Sequence, residues 1–79
     1  MRNWKRLDLD KPPVEAGTVV LRGILKGNDL SHMNLCEMGR FKYGDDRLQW
    51  HSGEIMRDVA QLTVSHYLWW CPIPDFDGV

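Results

Sequence analysis

Apolar positions in this chain fall into short runs with β-type spacing, separated by turn chemistry. Thr18-Val19-Val20-Leu21-Arg22-Gly23-Ile24-Leu25-Lys26 is β-branched and apolar on both faces, which predicts a central strand over residues 18–26. Gly27-Asn28-Asp29 ends it with turn residues. Met38, Arg40 and Lys42 alternate with Phe41 and Tyr43, predicting a second strand over residues 37–43, and Gly44-Asp45-Asp46 turns the chain into a short strand over residues 47–50. Ser52 is placed to cap a brief helix over residues 53–60, with Glu54 in its first turn and Ile55 and Val59 on one face. The last strand, residues 62–70, puts Leu62, Val64, His66, Leu68 and Trp70 on one side and Thr63, Ser65, Tyr67 and Trp69 on the other. Pro72 and Pro74 cannot donate ladder hydrogen bonds, so they stop that strand or hold it at an edge. Before the first strand, Pro12, Pro13 and Gly17 make a rigid turn segment, with Trp4 and Leu7 directed inward.

These elements predict one domain over residues 1–79, of α+β, mainly β class: a small three- to four-stranded antiparallel sheet with one short helix. The expected core is Trp4, Val19, Leu21, Ile24, Leu25, Phe41, Leu48, Ile55, Val59, Val64, Leu68 and Trp70. A chain of 79 residues is near the lower end of what a single core stabilises alone, and its four Trp, two Tyr and two Phe supply that core. Leu25, Leu30 and Leu35 have pentapeptide-repeat spacing, but the series fails at Arg40, too early for a stacked solenoid.

Ten Lys+Arg against eleven Asp+Glu leave a net charge of −1, and the cations are scattered along the chain, which argues against a phosphate-tracking surface. No apolar leader-like run opens the chain and no stretch approaches a membrane span, so a cytoplasmic, non-membrane protein is expected. In that compartment Cys36 and Cys71 are reduced thiols rather than a disulfide.

His32, Cys36, His51, His66 and Cys71 are permissible zinc ligands, but no tight Cys-x2-4-Cys knuckle is present, and strand parity sends His66 and Cys71 to opposite faces. No metal and no cofactor is therefore expected. A nucleophile elbow, a phosphate loop, His-Glu-x-x-His and paired carboxylates are all missing, so no catalytic residue is assigned. Phe41, Tyr43, Tyr67, Trp69 and Trp70 could stack bases, although such platforms combine stacking with a basic groove. Protein recognition is the better use of the aromatics, because adjacent Trp69 and Trp70 face opposite sides of a strand and an exposed Trp is a favoured interface anchor. Tyr67, Trp69, Trp50 and Phe76 are the expected partner-binding residues.

Trp4, the Pro12-Pro13 turn, Gly17-Thr18-Val19-Val20-Leu21, and Val64-Ser65-His66 leading to Trp70-Cys71-Pro72-Ile73-Pro74 resemble a family of short phage and prophage proteins of unknown function. Members open with a Trp, turn through Pro and Gly into a Val-Leu strand, and close near Val-Thr-His-Trp-x-Pro-Leu-Pro. The resemblance implies a phage setting and action in a bacterial cytoplasm, and supplies no catalytic residue. With the aromatics it leads to a non-enzymatic accessory protein that binds a host protein or protein complex, inhibiting a defence system such as CRISPR or restriction, or nucleic-acid processing. Self-association as a homodimer is a further expected contact. The alternative is a small single-stranded nucleic-acid-binding domain, with zinc assistance as a variant of it.

Overall fold

A computed structural model describes residues 4–27 and 34–73. Six strands, β1 (Lys5–Arg6), β2 (Val19–Leu25), β3 (Leu35–Gly44), β4 (Arg47–Ser52), β5 (Ile55–Asp58) and β6 (His66–Pro72), form one antiparallel sheet in the order β1-β6-β2-β3-β4-β5. Among the described residues one helix, α1 (Val59–Ser65), runs directly into β6. The mainly β class agrees with the sequence, but six strands replace the expected three or four. The additions are the two edges, two-residue β1 beside β6 and four-residue β5 beside β4.

The longest strand organises the rest. β3 pairs with β2 from Leu35 to Gly39 and with β4 from Arg40 to Gly44, so it changes partners halfway. Gly39 marks the change, because a Cβ there would run into the backbone carbonyl of His51. At the far end Asp45 and Asp46 take φ of 52° and 60°, the left-handed pair a two-residue type I′ hairpin needs. Short carboxylate side chains tolerate that region better than most.

Residues from both halves of the sheet share one core: Val19, Leu21 and Leu68 from one half, Phe41 and Trp50 from the other, closed by Val59 and Leu62 of α1. Leu7, Val14, Leu35, Leu48 and Trp70 pack around it. The helix, and Leu7 and Val14 of the segment before β2, therefore pack on the inner face.

Several expectations about the core change. Residues 53–58 form a turn and β5 instead of a helix, and Ile55, on that edge strand, is 50% exposed. Ser52 does not act as a helix cap. Its hydroxyl donates to the Met38 carbonyl at 2.8 Å, while the Asp58 carboxylate accepts from the Ala60 N–H and caps α1. The expected strand over residues 62–70 begins only at His66. In its helical first part the inward positions are Val59 and Leu62, three apart, and Val64 is rotated out to 73% exposure. Ile24, Leu25 and Trp4 are only partly buried, whereas Val20, Trp50 and Leu62 are buried without having been expected in the core; of the two cysteines, Cys71 is buried and Cys36 is exposed.

Gly39→Ala should cost at least about 2 kcal/mol, lowering the thermal midpoint by roughly 10 °C, because backbone must move to make room. Gly23→Ala would meet only the side chains of Leu35, His66 and Leu68 and should cost less. Thermal melts of the two variants check the order.

Candidate open-face recognition site

Strand alternation and register decide what the outer face displays. Directly opposed residues of an antiparallel pair share a face. Arg6 lies opposite Trp69, Trp69 opposite Arg22, and Arg22 opposite Cys36, giving one row across β1, β6, β2 and β3. At about 4.8 Å per strand this row is about 14 Å long. Tyr67 opposite Ile24 forms the neighbouring row on the same face. Further along β3 the same parity exposes Met38, Arg40 and Lys42.

The cations sit against the rings. The Arg6 guanidinium lies 5.0 Å from the Trp69 ring centre and 5.3 Å from that of Tyr67, and the Lys26 ammonium lies 5.1 Å from Tyr67. Lys26 also donates to the Thr63 carbonyl at 2.6 Å, which holds it beside the end of α1. Each such exposed cation–ring contact contributes about 0.5–1 kcal/mol, enough to orient the side chains without sealing them off. Tyr67 and Trp69 are 6.4 Å apart between ring centres and tilted by 56°, and Tyr67 is 43% exposed. On this face Val20 and Cys71, opposite one another, are buried outside the main core cluster.

Among the described residues, Asp8, Asp10 and Glu15 belong to the segment before β2, Asp45 and Asp46 to the β3–β4 turn and Glu54 to the β4–β5 turn. Asp58 caps α1 and pairs with Arg47 at 3.3 Å. Glu37 points inward, accepting from the Trp50 indole N–H at 2.9 Å and from Arg57 at 2.6 Å and 3.1 Å. The Arg57 guanidinium holds the Glu37 carboxyl below the usual carboxylate range, burial opposes this, and the Trp50 N–H adds to it. The carboxylate in turn raises Arg57. Arg6, Arg22, Lys26, Arg40 and Lys42 thus share the outer face, whereas Lys5 opposite Trp70 and Arg57 opposite Trp50 have inner-face parity.

Of the expected partner-binding residues, Tyr67 and Trp69 come together on the outer face. Trp50 does not join them. Its exposure is 0%, its ring packs 4.8 Å from that of Phe41, and Glu37 satisfies its N–H, so it is a core residue. Phe76 lies outside the described residues. Arg6, Arg22, Lys26, Arg40 and Lys42 were not assigned to the site from sequence. Parity within each strand could have placed Arg22, Arg40 and Lys42 opposite the apolar positions, but only the register aligns them with Trp69.

Among the described residues, no three His, Cys, Asp or Glu side chains come together as a metal site. His66 faces the core opposite Leu25, while Cys71 lies on the other face opposite Val20. His32 lies outside the described residues. Ser65 Oγ and His66 Nδ1 are 2.7 Å apart at the junction of α1 and β6, where the His66 backbone N–H also closes the helix on the Leu62 carbonyl. No described helix is long and apolar enough to cross a membrane. No protein-family model, curated protein or solved structure matches this chain.

Trp50→Ala should cost about 3–5 kcal/mol of folding stability, and Trp69→Ala clearly less, as urea unfolding of the two variants would report. Glu37→Gln should cost about 1–2 kcal/mol at pH 7 after allowance for the partly exposed Arg57. The folded-state pKa of Glu37 is depressed, so its contribution is complete above the unfolded value of about 4.3 and disappears as pH falls through the lower folded value. The gap between wild type and Glu37→Gln should accordingly narrow as pH falls below the unfolded value of about 4.3 and persist at neutral pH.

Proposed function

We propose that this protein is a non-enzymatic binding domain that holds an anionic macromolecule against the outer face of its sheet. The convergence of Arg6, Arg22, Arg40 and Lys42 with Tyr67 and Trp69 on one face carries this reading. α1, with Leu7 and Val14 of the N-terminal segment, packs on the inner face, and the Glu37 and Asp58 carboxylates are ion-paired with Arg57 and Arg47. A field of one sign over a concentrated patch attracts polyanions even when the whole molecule is near neutral. The resemblance in the closing strand supports a phage or prophage setting, with the partner supplied by the bacterial host.

Heparin–agarose retention tests the electrostatic reading. The wild-type protein should bind at low salt and elute as screening shortens the Debye length below about 10 Å. Arg22→Glu and Lys11→Glu change the net charge equally, but only Arg22 is on the outer face, so Arg22→Glu should elute at clearly lower salt. Equal shifts, or failure of the wild type to bind, would overturn the proposal.

A further inference from the structure

We infer that the outer face is a platform for single-stranded nucleic acid, with Trp69 and Tyr67 as base-stacking rings and Arg6, Arg22 and Lys26 as phosphate contacts, a deepening that rests on the polyanion reading above. A merely electrostatic surface needs no aromatic rings at its centre. Here the two rings lie two residues apart on β6, on the same side as three cations. Their ring centres are 6.4 Å apart and their planes are tilted by 56°, so the two rings do not form one stack and offer separate faces to different bases of an extended strand.

The cations are arranged to exchange partners. Arg6 touches both rings and Lys26 rests over Tyr67, contacts that are weak when exposed. A base stacking on the same ring is the stronger interaction, and the displaced cation then lies within reach of the adjoining phosphate. Arg22, directly opposite Trp69 on the other flank, supplies the second side of the track.

The geometry also selects against duplex. A major groove about 12 Å wide takes a helix or a two-stranded ribbon, whereas this row crosses four strands and is about 14 Å long before its outer side chains are counted. Stacked rings moreover require bases that are not already stacked in a helix.

Fluorescence anisotropy of the full chain with labelled 15-nucleotide oligo(dT) and oligo(U), a hairpin duplex, and heparin as competitor tests this. Both single strands should bind in preference to the duplex, with partial quenching of tryptophan emission. Trp69→Ala should weaken single-strand binding by about 5- to 100-fold, Trp69→Phe by much less, and both should shift heparin elution far less than Arg22→Glu does. Arg22→Ala should reduce the log–log salt slope by about 0.7. Tyr67→Ala, a substitution at a more exposed ring, gives the same readout should Trp69→Ala fold poorly. Preference for duplex, or single-strand affinity indifferent to Trp69 and Tyr67 with heparin retention intact, would overturn the stacking platform and leave the polyanion reading standing. Loss of heparin retention as well would remove both.

Discussion

β3 leaves one pairing partner for another at Gly39, and the shared core follows from that change. Its first half hydrogen-bonds to β2 and its second half to β4, so Phe41 and Trp50 reach the same apolar cluster as Val19, Leu21 and Leu68. A residue with a Cβ would press on the His51 carbonyl at the changeover. A small chain has little apolar area to bury, and joining both halves in one cluster makes fuller use of it. Seven-residue α1 and the segment carrying Leu7 and Val14 then suffice to cover the inner side.

The same arrangement produces polarity between the faces. Inward positions take the large rings and the one polar cluster that a buried indole requires, Trp50 N–H to Glu37 with Arg57 balancing the charge. Outward positions include Arg6, Arg22, Arg40, Lys42, Tyr67 and Trp69, beside the buried Val20–Cys71 pair. These groups are spread along rows rather than convergent on a point, an arrangement that suits the binding proposed above, in which an extended ligand meets several weak contacts together.

Much of the fold was legible from local chemistry. Val19 to Leu25, Phe41 with its alternating neighbours, and the Gly44-Asp45-Asp46 turn read correctly because strand alternation and turn residues act over a few positions. Residues 53–65 read wrongly for a physical reason. Ser52 and Asp58 are both competent caps, and the selection of Asp58 depended on Ser52 finding the Met38 carbonyl on a distant strand. Val64 followed, since a shift of the helix by several residues changes which side chains point inward.

Trp69 and Trp50 show the boundary most clearly. The chain alone determined that neighbouring Trp69 and Trp70 must face opposite ways, because successive residues of a strand do. It determined likewise that His66 and Cys71 would not share a face. Whether Trp50 was core or surface, and whether scattered cations would meet, only the tertiary structure decided: both depend on inter-strand register. Register is set by long-range hydrogen bonding and by burial of one face against another, and no short window of sequence contains either.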